Sequence, residues 1–93
     1  MKYCVLLIVA PKPSARDPEG ETLTAALRER GYEFLAATRV GKAFLFTVEA
    51  GSLDEAVRLV GEMARSSRLY NPVVHEARLL GLGEGGCGKV PGY

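Results

Sequence analysis

The chain has 93 residues, of which 47% are hydrophobic, and its 12 Lys and Arg against 11 Asp and Glu give a formal net charge of +1. This length predicts one domain. A domain of this size buries only roughly 60–65% of the surface of its unfolded chain, so we expect another subunit to cover part of the apolar surface. The near-neutral charge argues against binding to nucleic acid or to a membrane surface.

The N-terminal apolar run, residues 3–10, predicts a buried strand rather than a signal peptide. Pro11 and Pro13 follow it at once, and no small-residue cleavage site comes after them. Because no segment approaches the length of a transmembrane helix, we expect a cytoplasmic protein. The two cysteines, Cys4 and Cys87, form no CxxC motif, and reduced thiols are expected in that compartment.

The first predicted elements are a strand and a helix. Residues 2–10 have apolar side chains on both faces of the predicted strand, so both faces must be covered. The helix begins with Asp17 as its N-cap and Pro18 at the first helical position. It ends at Gly31, a residue that accepts the left-handed conformation of a helix terminus.

Two further strands, residues 34–40 and 42–50, are predicted to form an antiparallel hairpin that turns at Gly41. We expect Gly41 to supply the positive φ that a tight turn needs. After this hairpin, Ser52 and Glu55 have the spacing of a capping box and indicate the start of a second helix.

The chain ends with a last strand, residues 73–80, which follows the Asn71-Pro72 turn, and with a Gly-rich segment. The order β-α-β-β-α-β predicts a ferredoxin-like α+β fold, in which two helices cover one face of a four-stranded antiparallel sheet. We assign residues 1–80 to this domain and residues 81–93 to a mobile tail. Since apolar residues point to both faces, the open face of the sheet is predicted to be an interface.

No catalytic, cofactor or metal site is predicted in this chain. Residues 83–89 match the GxxxxGK pattern of a phosphate-binding loop, but Val90 replaces the hydroxyl residue that would bind magnesium. His75 is the only histidine, and its spacing from the two cysteines is unlike that of metal ligands. A partly exposed position on the last strand is the expected role of His75.

Three stretches carry a resemblance to a known family. They are DPEGETLTAALRERGYE at residues 17–33, RVGKAFLFTVEA at residues 39–50 and NPVVHEARL at residues 71–79. The first has an Asp-Pro-x-Gly helix start, the second an Arg-Val-Gly-Lys segment before a strand, and the third an Asn-Pro turn before the last strand. In this order and spacing they resemble the PurS family, the small subunit of phosphoribosylformylglycinamidine synthase.

The resemblance implies a non-catalytic subunit of an ATP-dependent carbon–nitrogen ligase of purine biosynthesis. Such a subunit dimerises and bridges a glutaminase subunit and a large synthetase subunit, so that ammonia from glutamine converts formylglycinamide ribonucleotide to its amidine. ATP and Mg²⁺ would be bound by the large subunit. The match to the family's motifs also implies a set of partner-contacting residues, which are Arg39, Gly41, Lys42, Asn71 and Pro72.

Two other functions fit the predicted element order. One is an ACT-like regulatory dimer that binds a small metabolite at its interface. The other is an RNA-binding domain in which Phe44 stacks on a base. Against RNA binding, Lys42 stands where the first aromatic residue belongs, and the charge is nearly neutral. We expect Phe44 and Phe46 to be core or interface residues.

Overall fold

Three strands and two helices form residues 1–88, the part of the chain that this computed structural model describes. The central strand is long because Tyr3 to Ala10 is a continuous run of β-forming and apolar residues. In chain order the elements are β1 (Lys2–Pro11), α1 (Pro18–Glu29), β2 (Lys42–Glu49), α2 (Leu53–Ser66) and β3 (His75–Glu84).

The strands form one antiparallel sheet in the order β2-β1-β3. Leu7 of β1 lies opposite Phe44 of β2 and Leu79 of β3, so one row of large apolar side chains crosses the sheet. The central position of β1 explains why its residues are apolar on both faces, as the sequence predicts.

The hydrophobic core lies between one face of the sheet and α2. Val5 and Leu7 of β1 are fully buried there. From α2 come Ala56, Val60 and Ala64, which are spaced four residues apart and therefore lie along one side of the helix. Burying each larger side chain contributes about 1.5–3 kcal/mol, so this layer supplies most of the stability of the sheet.

The prediction of a fourth strand at residues 34–40 was wrong. This segment is held by α1 rather than by a neighbouring strand. The Arg28 guanidinium donates to the carbonyl oxygens of Glu33 and Leu35, at 3.0 and 2.8 Å. The Asp17 carboxylate accepts from the Val40 amide at 2.9 Å. Because side chains of the preceding helix satisfy these backbone groups, the segment does not need to pair with β2.

The expectation that both helices cover the sheet was also wrong, because only α2 does so. Within the described residues, the backbone of α1 stays apart from every strand and from α2. We call residues 17–40, which contain α1 and the segment that follows it, the arm. The arm makes the molecule elongated, with extents of 49 × 33 × 14 Å and a radius of gyration of 16.1 Å. A compact chain of this length would have a radius of about 12 Å.

The helix ends follow the sequence predictions. Asp17 caps α1, and Ser52 caps α2 by accepting from the Glu55 amide at 3.1 Å. Gly31 has a φ of 102°, and the amides of Gly31 and Tyr32 donate to the last turn of α1, as in a Schellman motif. Neither helix in residues 1–88 has the length and apolar character required to cross a membrane.

The C-terminal part of the described chain differs from its prediction. Strand β3 continues to Glu84, four residues beyond the predicted boundary at residue 80, because residues 81–84 go on pairing with β1. A register shift at Cys4 and Val5 accommodates one extra residue of β3. Cys4 and Cys87 form a disulfide, so the expectation of two reduced thiols was wrong. Residues 89–93 of the predicted mobile tail lie outside the described residues.

Candidate partner-contact site

The five residues predicted to contact a partner lie in two segments that the fold brings to one end of the sheet. Residues 39–42 lead into β2, and residues 71–72 precede β3. In the antiparallel registers, Lys42 pairs with Val9 and His75 pairs with Pro11. Both outer strands therefore begin beside the C-terminal end of β1, although about thirty positions separate the two segments in the sequence.

Gly41 is required for a different reason from the predicted one. It does not adopt a positive φ, and there is no hairpin turn at this position. Instead, a Cβ atom on Gly41 would clash with the carbonyl oxygen of Val9 and would lie 3.1 Å from the Cα of Ala10. Gly41 therefore permits the close approach of two backbone segments where β2 joins β1.

Asp17 joins the two ends of the arm next to this end of the sheet. Its carboxylate accepts from the Gly20 amide at 3.1 Å and from the Val40 amide at 2.9 Å. The hydrogen bond from Val40 and then that from Gly20 lower the pKa of Asp17 below its ordinary value of 3.8. Partial desolvation opposes this shift, and the positive charge of Arg39 adds to it. One carboxylate thus caps α1 and positions the backbone next to Arg39.

Arg39 and Lys42 differ in their surroundings. The Arg39 guanidinium forms an ion pair with Glu76 at 3.0 Å, which links the entry of β2 to β3. Both side chains are at least two-fifths exposed, so the pair contributes at most about 1 kcal/mol and a partner can displace it. Lys42 is exposed and forms no ion pair with any residue in positions 1–88.

Asn71 forms the turn before β3. Its side-chain oxygen accepts from the Val73 amide at 3.0 Å, and its carbonyl oxygen accepts from the amides of Val74 and His75. The Asn71 amide donates to Nδ1 of His75 at 3.1 Å. His75 is partly exposed at the start of β3, as predicted, and it stabilises this turn.

A cleft of about 640 Å³ lies beside the turn. It contains two arginines at the end of α2, Arg65 and Arg68, which the sequence did not single out as candidate contact residues. Neither arginine belongs to an ion pair within residues 1–88, and Arg68 has a φ of 54°, unusual for a residue other than glycine. The proximity of two arginines to the Asn-Pro turn was the available signal. The lining consists of Arg65, Arg68, Tyr70, Asn71 and Pro72.

The residues considered for other functions lie elsewhere. Phe44 and Phe46 stack on each other, with ring centroids 5.8 Å apart, and pack against the core under α2, so they offer no platform for a base. Gly83 and Glu84 of the GxxxxGK match belong to β3, while Lys89 lies outside the described residues. Residues 1–88 contain no group of three or more His, Cys, Asp or Glu side chains placed to bind a metal ion.

Comparison with known proteins identifies the family. The model of PurS, phosphoribosylformylglycinamidine (FGAM) synthase, matches residues 4–81. The chain belongs to the PurS family. The PurS subunits of Archaeoglobus fulgidus and Thermotoga maritima are each 37% identical over 65 residues, which is 70% of this chain and 80% and 78% of the relatives. The match to the PurS family model ends at residue 81, before Cys87.

Solved PurS structures share the fold. The PurS subunit of Thermotoga maritima has a TM-score of 0.78 at 32% identity, over 88% of this chain and 93% of that chain. A chain in the structure of PurLQS from the same organism also has a TM-score of 0.78 at 32% identity, over 88% of this chain and 99% of that chain. PurS of Bacillus subtilis has a TM-score of 0.68 at 32% identity, over 84% of this chain and 95% of its own. These matches favour a PurS subunit over an ACT-like regulator or an RNA-binding domain.

Proposed function

We propose that this chain is the small, non-catalytic subunit of a phosphoribosylformylglycinamidine synthase. The observation that carries the proposal is the PurS match over residues 4–81, together with the similarity to a chain of PurLQS from Thermotoga maritima. In this function the chain bridges a glutaminase subunit and an ATP-dependent synthetase subunit in the cytoplasm. ATP and Mg²⁺ are bound by the synthetase, and no group of this chain takes part in the chemistry.

The reaction explains why such a subunit is needed. Phosphorylation of the amide oxygen of formylglycinamide ribonucleotide turns that oxygen into a leaving group, which ammonia then displaces to form the amidine. Ammonia that escapes into water at neutral pH is mostly protonated, and ammonium has no lone pair with which to attack. Holding the two active sites in a fixed arrangement therefore raises the effective concentration of the nucleophile.

The surface of the chain supports an assembly role in two places. The sheet face opposite α2, which we call the open face, presents the apolar side chains of Leu6, Ile8 and Leu80. The arm exposes Phe34 to 82% and Leu23 to 42%. Apolar surface of this extent on a small chain is typical of surfaces that pair with another protein. We assign the open face to self-association.

The end of the sheet near Pro11 is the proposed contact with the synthetase. Arg39, Lys42 and the two arginines of the cleft place positive charge around the Asn71-Pro72 turn. Carboxylate groups of the synthetase are the complementary chemistry, because arginine binds carboxylates through two parallel hydrogen bonds. Gly41 acts here only by letting the two segments approach each other.

Reconstitution from three separately purified polypeptides tests this function. With glutamine as nitrogen donor, amidine formation is expected to require this chain, the glutaminase and the synthetase together. With a high concentration of an ammonium salt, the synthetase is expected to work without the glutaminase. This chain alone is expected to show neither glutaminase nor ATPase activity.

Two results would contradict the proposal. One is full glutamine-dependent synthesis by the two larger subunits without this chain. The other is a failure of this chain to elute with those subunits in size-exclusion chromatography, while a PurS subunit from Thermotoga maritima does so with its own partners under the same conditions.

A further inference from the structure

The disulfide between Cys4 and Cys87 joins the beginning of the central strand to the end of the described chain. The two Cα atoms are 4.9 Å apart, and 83 positions separate the residues in the sequence. Cys4 is only 6% exposed although it is the third residue of β1. Residues 85–88, which we call the clasp, carry Cys87 and cover Cys4.

The clasp lies on the open face. Tyr3 and Val5 point towards α2, so Cys4 between them points to the opposite side of the sheet. In β2, Cys4 pairs with Thr47. The Cys87 amide donates to Oγ1 of Thr47 at 3.0 Å, and the Gly85 amide donates to the Lys2 carbonyl oxygen at 2.9 Å. The clasp thus crosses the Cys4–Thr47 end of the open face.

Few other contacts hold the clasp in place. Its sequence is Gly-Gly-Cys-Gly, which offers no aliphatic or aromatic side chain to bury. Gly85 and Gly86 have φ values of 91° and 81°, a conformation that glycine adopts easily, and glycine loses the most conformational freedom when it is ordered. Within residues 1–88, two amide hydrogen bonds, a contact of the Cys87 sulfur with the Phe46 carbonyl oxygen at 3.2 Å and the packing of Gly86 against Thr47 must offset that loss. Without the covalent bond, the segment is expected to leave the sheet.

We propose that the Cys4–Cys87 disulfide is a redox switch that determines whether the clasp covers this end of the open face. The oxidised chain is closed and buries Cys4, and the reduced chain exposes Cys4. The proposal rests on the proposed function for the cytoplasmic compartment, where thiol reductants keep most cysteines reduced and the disulfides that do form are often regulatory. Because the open face is the proposed self-association surface, the switch changes whether Cys4 is exposed on that surface.

The chemistry is ordinary thiol–disulfide exchange. A low-molecular-weight thiolate attacks one sulfur of the disulfide and forms a mixed disulfide while the other cysteine leaves as a thiolate. A second reductant thiol displaces the protein thiolate, so two electrons and two protons end on Cys4 and Cys87 and the reductant becomes a disulfide. The oxidised form of the same small thiol drives the reverse reaction.

Hydrogen exchange on the full chain tests the switch. After incubation with oxidised glutathione, mass spectrometry of the alkylated protein is expected to show no free thiol, and after dithiothreitol it should show two. Reduction is expected to speed exchange of the Gly85 and Cys87 amides by at least about tenfold, while the Leu7 amide in the centre of β1 stays unchanged. Unchanged exchange after complete reduction would overturn the proposal, as would a failure of oxidised glutathione to close the bond.

A Cys87→Ser variant separates the switch from a general loss of structure. It is expected to exchange at Gly85 as fast as the reduced parent in both redox conditions, and its Cys4 should react readily with iodoacetamide. A variant whose clasp stayed protected, or whose Cys4 stayed unreactive, would show that the disulfide does not hold the segment. Since none of these measurements involves a partner subunit, a negative result here leaves the ligase function untouched, and a failed reconstitution leaves the switch untouched.

Discussion

Two regions of the molecule are stabilised by different interactions. The first region is the sheet together with α2, and the second is the arm. In the first region, apolar side chains of β1 and α2 pack against each other, and Leu7 is only 1% exposed. In the arm, Gly20 is the buried residue of α1, while Leu23 stays 42% exposed. The arm is shaped by caps and by hydrogen bonds such as that from Val40 to Asp17. The comparison shows that one small chain can fold most of its length around a hydrophobic core and hold the remaining segment by caps and side-chain hydrogen bonds, with apolar side chains left exposed.

The largest effect is expected from matched leucine truncations in the two regions. Leu7→Ala removes a fully buried side chain and should lower the free energy of unfolding by about 2–5 kcal/mol. Leu23→Ala makes the same chemical change on the arm and should cost less than about 1 kcal/mol in the isolated chain. Urea unfolding monitored by circular dichroism measures both values. Equal losses would show that the arm is packed as tightly as the sheet.

The next effect concerns the junction of the two regions and its proposed partner. The double change Arg39→Ala/Lys42→Ala should lower the unfolding free energy by at most about 1 kcal/mol, because both side chains are exposed and only the surface ion pair with Glu76 is lost. Binding to the synthetase should weaken by about 1–3 kcal/mol, or roughly 5–150-fold in Kd, if a partner carboxylate buries one of these charges. Calorimetric titration measures the change.

Arg16→Ala is the control for that double change, since Arg16 is a charged residue that pairs with Glu21 on the exposed surface. Binding by this control should match the parent. If the double variant bound the synthetase as tightly as the control, residues 39–42 would have only a structural role.

An effect of similar size, on stability rather than on binding, is expected where β2 joins β1. Gly41→Ala places a methyl group against the Val9 carbonyl oxygen, so the strands must shift, at a cost of about 1–3 kcal/mol. Gly88→Ala is the matched control, because the added methyl group meets no atom of residues 1–88 within 4 Å, and it should change stability by less than about 0.5 kcal/mol. Similar thermal unfolding of the two variants would contradict the close approach at Gly41.

The smallest effect is a local one of pH on the arm. Because the pKa of Asp17 is lower in the folded chain than the ordinary 3.8, its ionised form stabilises the arm above that pH. This contribution is lost as the pH falls through the lower, folded value. The Val40 amide resonance should therefore titrate with an apparent pKa below 3.8. Asp17→Asn should abolish this titration and Asp54→Asn should preserve it, whereas a midpoint above 3.8 would contradict the hydrogen bonds.

The comparison also separates what sequence reasoning could predict from what it could not. Both helices, their caps and the stop at Gly31 were predicted correctly because they depend on contacts within a few residues. Residues 34–40 were predicted as a strand from composition, but the backbone partners of this segment come from Asp17 and Arg28. The predicted contact residues come from separate sequence motifs. The strand register is what brings them to one end of the sheet.

Sequence patterns were enough to predict the local elements, the apolar character of both faces of β1 and, through three motifs in order, the PurS family. Each of these properties depends on neighbouring residues or on a pattern that can be recognised along the sequence. Contacts between distant segments keep α1 off the sheet, extend β3 to Glu84 and place Cys87 against Cys4, and sequence patterns did not reveal these features. These outcomes depend on which distant segments compete for the same backbone groups and the same apolar face, and that competition is settled in three dimensions.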